Sequence, residues 1–167
     1  GNLQHLRLLN LKGCESLESL PPISLGSLKT FILSGCSKLT KFPEIVGSME
    51  KLSRLYLDGT AIRELPVTFE KLRGLILLNL KGCKNLHLSR SSILGSLTSL
   101  KDLNLSGCSH VELPENIGNL QHLEELDACD SGIRKVPSSI SRLNKLKLLC
   151  LNRCKDEQMG LQLPNSF

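Results

Sequence analysis

Tryptophan is absent from this chain, tyrosine occurs once, and aromatic residues make up only 3% of its 167 residues. Any core must therefore be filled by aliphatic side chains, and leucine carries it. No apolar stretch approaches the roughly 18–20 residues that cross a membrane. No signal peptide is present, and the chain opens on Gly1 rather than Met. Lysine and arginine form no runs. Residues 1–84 hold 12 of them against 7 acids and residues 85–167 hold 9 against 9, so the net charge of +5 is too mild to argue for nucleic acid. Catalytic signatures are missing as well. There is no C-x-x-C pair, no G-x-x-x-x-G-K-[ST] phosphate loop and no G-x-S-x-G elbow. Among the histidines, His5 and His122 are copies of one repeat position, which leaves no support for a catalytic dyad. The chain is expected not to be an enzyme, with no catalytic, cofactor-binding or metal-binding residues and no cofactor in this segment.

What is present is a ladder of leucines. The frame Leu-x-x-Leu-x-Leu begins at Leu6 and returns at Leu28, Leu52, Leu75, Leu100, Leu123 and Leu146, at intervals of 22 to 25 residues. That period belongs to leucine-rich repeats. Alternation such as Leu55-Tyr56-Leu57 predicts short strands with leucines inward and the middle residue outward. Strands stacked in parallel about 4.8 Å apart span roughly 30 Å over seven layers. After each strand the chain must turn inward, and a Leu-Pro step closes that turn, since proline fixes φ and cannot donate to a ladder. Segments such as Pro114-Glu-Asn-Ile117 and Pro137-Ser-Ser-Ile140 leave room for one or two helical turns or a 3-10 piece. The fourth copy, LHLSRSSILGSL, lacks the Leu-Pro step, so its outer side is expected to be irregular. The fold class is an α/β solenoid: a leucine-rich-repeat arc of about seven repeats of about 23 residues, with parallel strands on the concave face and short turns on the convex face. Residues 1–167 read as one such domain, cut mid-repeat at both ends, with apolar end layers left open.

The inward-turn column holds Cys14, Cys36, Thr60, Cys83, Cys108, Ser131 and Cys154. Cysteine there behaves as a small hydrophobe with a weak S–H donor. The five cysteines are expected to be buried free thiols, which favours a reducing compartment. The Thr60 and Ser131 copies are one residue shorter, which predicts a tighter turn. Cys129 and Cys150 fall instead at outward strand-face positions, as either reactive thiols or inert surface cysteines.

Fixing the frame makes the concave face readable. Its central column is Asn10, Ile32, Tyr56, Asn79, Asn104, Asp127 and Cys150. Two clusters are candidates for partner binding. Arg54, Tyr56 and Asp58 set an amphipathic ring between two charges on the third strand. In the sixth copy Glu124, Glu125, Asp127 and Asp130 make an acidic patch, with Lys101 before it and Lys147 after, and Asp102 in the flanking strand column is a further candidate contact. Ile32, Leu77 and Leu148 are apolar at outward strand positions, which favours a protein partner.

The phrases LNLKGCESLESLP, FILSGCSKLTKFPEIVGSMEKL and LYLDGTAIRELP resemble the repeat region of plant TIR–nucleotide-binding–leucine-rich-repeat disease resistance proteins, across essentially the whole chain. The resemblance implies an intracellular receptor segment, cytoplasmic with the nucleus as a second compartment. Its implied partners are proteins: a pathogen effector or a guarded host protein, and the receptor's own nucleotide-binding module, which it helps hold inactive. Neither nucleic acid nor membrane is among them. The alternative is an intracellular Ras-group scaffold, which shares Leu-Pro-x-x-Ile-Gly-Asn-Leu but prefers Asn at the inward turn. The five turn cysteines argue for the receptor.

Overall fold

The computed structural model describes residues 3–88, 93–152 and 161–165. Seven strands of three residues each form one parallel sheet: β1 (Leu8–Asn10), β2 (Thr30–Ile32), β3 (Arg54–Tyr56), β4 (Leu77–Asn79), β5 (Asp102–Asn104), β6 (Glu125–Asp127) and β7 (Leu148–Cys150). Spatial order follows chain order without a crossover. Every neighbouring pair joins equivalent positions, as in Leu55 opposite Leu78 and Leu103 opposite Leu126. The repeat length varies by up to three residues, yet the register never slips. One slipped residue would turn the leucines to solvent, so length variation is absorbed elsewhere in each layer.

The inward column Phe31, Leu55, Leu78, Leu103 and Leu126 is fully buried, and so is the next column of Leu33, Leu57, Leu80, Leu105 and Ala128. Their equivalents in the outer layers, Leu9 and Leu11 at one end and Leu149 and Leu151 at the other, are only partly buried. Each of these strands has one described neighbour, so its leucines pack on one side only. The scarce aromatics are concentrated. Phe31, Phe42 and Phe69 stack in sequence, with ring centroids 6.2 and 5.2 Å apart and the second contact edge-on. These rings bridge the second and third layers.

Among the described residues, four 3-10 segments lie on the convex side: Val67–Lys71, Leu94–Ser96, Glu115–Asn119 and Ser138–Arg142. Three follow Pro66, Pro114 and Pro137, whose extended backbone delivers the chain into the turn. The copy without a Leu-Pro step has the three-residue segment; its residues 89–92 lie outside the described part. The first two layers differ from the expected helical turn. There Ile23 pairs with Ile45 in a short parallel bridge, with Ile23 N–H donating to the Glu44 carbonyl at 2.8 Å and Val46 N–H to the Ile23 carbonyl at 3.0 Å. Adjacent β-branched Ile45 and Val46 favour the extended form.

The inward turns repeat one device. Gly13, Gly35, Gly59, Gly82 and Gly107 all have φ between 68° and 73°, the left-handed region that glycine enters without steric cost. Asp130 takes this place in the sixth layer with φ 55°. Beside the glycines, the thiols tie layers together. Cys36 Sγ donates to the Leu11 carbonyl at 3.2 Å, Cys83 Sγ to the Leu57 carbonyl at 3.1 Å and Cys108 Sγ to the Leu80 carbonyl at 3.1 Å. Thr60 closes within its own layer instead, its hydroxyl donating to the Leu57 carbonyl at 2.8 Å. In the other short copy, Ser131 Oγ accepts from Ile133 N–H at 3.4 Å.

Cys36, Cys83 and Cys108 are buried free thiols, as expected, but Cys14 is exposed. It sits in the first layer, without a described layer over its outer side. Cys154 lies outside the described residues. Burial pushes the Cys36 and Cys83 thiols up and Cys108 to about 12. Because the thiolate is the nucleophile, maleimide should modify Cys14 in the native protein and leave Cys36, Cys83 and Cys108 intact until unfolding. Peptide mapping by mass spectrometry reads this order; equal labelling of all four would contradict the assigned burial.

Candidate binding face

The concave columns are those read from the frame, now fixed by six in-register strand pairs. On β3, Arg54 is exposed and Tyr56 half-buried, and the ring is outside the buried core. Asp58 is engaged sideways, accepting from Ser34 Oγ at 2.7 Å. Of the apolar candidates, Leu148 is exposed, while Ile32 and Leu77 are half-buried by neighbouring strands. Towards β1 the edge of the face is basic: Arg7, Lys29 and Lys51 line a shallow groove with His5, Ser27 and Ser53.

The acid lies further along. Register places Asp102 of β5 directly opposite Glu125 of β6, with Asn104 opposite Asp127. The Asp102 carboxyl is held above the ordinary aspartate range, first by burial and then by the charges of Glu125 and Asp127. Glu124 stands apart from this repulsion. It meets Lys147 at 2.6 Å and Lys101 at 3.9 Å, and the Lys147 hydrogen bond and charge hold it below the usual glutamate range. The five acids thus divide: Glu124 is locally balanced, Asp102 confronts Glu125 with Asp127 adding to the repulsion, and Asp130 belongs to the turn column.

A raised Asp102 pKa has a definite consequence for stability. The ionised group costs the folded state at neutral pH; the cost is relieved as pH falls through the raised folded value and is gone below the unfolded value. Asp102→Asn should therefore raise the melting temperature at neutral pH, with the gain shrinking in acid to nothing below the ordinary aspartate value of about 3.9. Thermal melts of both proteins across that range check it, and a variant destabilised at neutral pH would reverse the sign.

Three features escaped the sequence reading. The central Asn and Asp side chains cap their own strands. Asn10 accepts from Lys12 N–H, Asn79 from Lys81 N–H and Asp127 from Cys129 N–H, each at 3.0 Å, and Asn104 accepts from Ser106 N–H at 2.9 Å. The repeated Asn-x-Lys and Asn-x-Ser steps were the signal for these turns. His87 and His110, from adjacent layers, stack with ring centroids 5.1 Å apart. Finally, Cys129 and Cys150 are joined as a disulfide, with Cα atoms 5.4 Å apart. This corrects the reading of both as separate outward thiols. They occupy different columns of adjacent layers, and the diagonal between those columns is within disulfide reach. In the bonded form neither reacts with maleimide.

A chain built of repeated layers with a solvent-facing parallel sheet invites comparison with known proteins. Residues 75–166 match the model of a leucine-rich repeat region, and residues 23–112 match that of the disease resistance protein RPS4B-like leucine-rich repeats. The chain belongs to the disease resistance leucine-rich repeats. The resemblance read from the Gly-Cys and Asp-Gly-Thr phrases is thereby borne out. Among relatives, it is 43% identical over 150 residues to TMV resistance protein N of Nicotiana glutinosa, covering 89% of this chain and 13% of that protein. It is 46% identical over 158 residues to the disease resistance-like protein DSC1 of Arabidopsis thaliana, covering 91% of this chain and 13% of that protein. The resistance repeats here thus span about an eighth of the length of these relatives. Among solved structures, the leucine-rich repeat domain of the type III effector XopL superposes with a TM-score of 0.72 at 27% identity, covering 85% of this chain and 50% of that one. The Arabidopsis receptor kinase HAESA, solved with the peptide hormone IDA and the co-receptor SERK1, superposes at 0.64 and 21% identity, covering 90% and 26%. That second likeness shows the fold alone. The disease resistance leucine-rich repeats are an interaction module, not an enzyme. No helix among the described residues is long and apolar enough to cross a membrane.

Proposed function

We propose that these resistance-protein repeats form the sensing and restraining segment of an intracellular plant immune receptor. The concave face around β5 and β6 takes a basic surface of a protein partner. That partner is a pathogen effector or a guarded host protein, and in the resting receptor the same repeats pack on the nucleotide-binding module and help hold it inactive. The receptor works in the cytoplasm, with the nucleus as a second compartment.

The observation that carries this reading is the placement of Asp102 opposite Glu125 with Asp127 beside them. Like charges opposite one another on neighbouring strands destabilise a sheet, and burial adds to the cost at Asp102. Folding gains nothing from such an arrangement, whereas a cationic partner relieves it and gains orientation from it. Asp130 points the same way: an acid stands where five other layers place glycine. The β3 cluster of Arg54, Tyr56 and Asp58 supplies an aromatic anchor two strands away, roughly 10 Å along the face. The experiment is charge reversal on the acidic strands within the parent receptor, reading both partner binding and signalling without a pathogen.

A further inference from the structure

Among the described residues, Asp127, Cys129 and Cys150 bring one carboxylate oxygen and two sulfurs together, all within 4.8 Å of one another. All three residues are half-buried on the concave face. The geometry points to a binding site for a thiophilic divalent cation of the Zn²⁺ class, formed when the Cys129–Cys150 bond is reduced. Tetrahedral Zn²⁺, with bonds of about 2.3 Å to sulfur and about 2.0–2.2 Å to carboxylate oxygen, sets its ligand atoms roughly 3.5–3.8 Å apart. Reduction frees the two sulfurs, on Cα atoms 5.4 Å apart, to rotate about their Cα–Cβ bonds toward that spacing.

The surroundings favour this use of the pair. Asp127 is oriented by its neighbours: one carboxylate oxygen accepts from Cys129 N–H at 3.0 Å and the other from Asn104 Nδ2 at 3.4 Å. Such outer hydrogen bonds fix the direction of a metal ligand. The backbone on both sides is pinned, with Ala128 N–H donating to the Cys150 carbonyl and Asp130 N–H to the Asn152 carbonyl, each at 2.8 Å. Asp102 and Glu125, opposite each other on β5 and β6, add negative charge to the same face that a cation relieves. Two soft thiolates select Zn²⁺ over Mg²⁺ or Ca²⁺, and three protein ligands leave the fourth position open to water or to a donor from a partner. Cys36, Cys83 and Cys108 take no part, since each is buried singly in its layer and donates to a carbonyl.

The chemistry balances with a low-molecular-weight thiol as reductant. The Cys129–Cys150 sulfur–sulfur bond accepts two electrons and two protons from two such thiols, which become one disulfide. Cation binding to the freed pair then releases two thiol protons to solvent. Oxidised protein has no site.

The test uses the chain carrying Cys14→Ser and Cys154→Ser, reduced with a phosphine, cleared of reductant anaerobically and titrated with Co²⁺. One equivalent should bind with a thiolate-to-cobalt charge-transfer band and the visible bands of a tetrahedral ion, and Zn²⁺ should displace it. Cys129→Ser and Cys150→Ser should each remove the band, Asp127→Asn should weaken binding at least tenfold, and diamide-oxidised protein should bind none. A reduced pair that cycles between dithiol and disulfide without taking up Co²⁺ would overturn the site. A band surviving in both serine variants would do the same, and unchanged affinity in Asp127→Asn would remove the third ligand. Should a serine variant fail to fold, alkylation of the unmutated reduced chain decides: Zn²⁺ must protect Cys129 and Cys150, and full labelling in its presence rejects the site.

Discussion

Phe69→Ala is expected to cost about 3–5 kcal/mol, the range for deleting a fully buried phenylalanine. The ring is completely buried and packs edge-on against Phe42, which contacts Phe31 in turn. Removing it opens a void that leucines locked in neighbouring layers cannot fill, because each is held by its own strand. In a solenoid the loss is felt at the interface between layers, so the second and third layers should open before the rest. Urea denaturation followed by circular dichroism, with amide exchange to locate the opening, measures both. The control is Tyr56→Ala. Its ring is half-buried and outside the core, so stability should fall by no more than about 1 kcal/mol while partner affinity falls at least tenfold. A Tyr56 variant as unstable as the Phe69 variant would place the tyrosine in the core and remove it from the binding face.

Reversing charge on the acidic strands should weaken partner binding tenfold or more, equivalent to about 1.4 kcal/mol. The acidic residues are not equivalent targets for this change. Glu124 is balanced by Lys147 and Lys101, so its reversal also breaks local pairs. Asp127 caps the Cys129 N–H, and Asn preserves that cap. The informative variant is therefore Asp102→Asn with Glu125→Lys and Asp127→Asn. It relieves repulsion rather than creating it, so the fold should hold while binding is lost. Steering by charge also acts on association rate and fades with salt, so wild type should lose affinity in high salt and the variant should not. In the parent receptor, loss of restraint should appear as signalling without a pathogen. Unchanged binding together with unchanged resting activity would reject the acidic face as a docking surface.

The stack was legible in the sequence because leucine spacing alone determines which side of each strand faces inward. Once Leu55 and Leu57 are inward, Tyr56 has nowhere to go but out, and the same reasoning located all seven strands. The turn column was legible in position but not in every environment. Cys36 and Cys108 are covered by layers on both sides, whereas Cys14 is not, and repeat phase carries no information about what lies over an end layer. The disulfide was missed for a related reason. Column reading compares like with like, and Cys129 and Cys150 meet across unlike columns. Asp130 was visible as an acid, but its left-handed backbone became apparent only beside five glycines at the same station. Likewise the division of the acidic cluster depended on which side chains reach Lys101 and Lys147, a matter of rotamers rather than spacing.

Six strand pairs without a single register shift also make this architecture tolerant of unequal recombination. Copying or deleting one whole layer of about 23 residues leaves each remaining leucine facing a leucine, while everything downstream moves by one strand spacing of about 4.8 Å. A gene built this way can change the distance between its aromatic and acidic stations in fixed increments, and each product inherits a working scaffold. Variation is then free to explore new spacings between contact points before any single contact residue has to change.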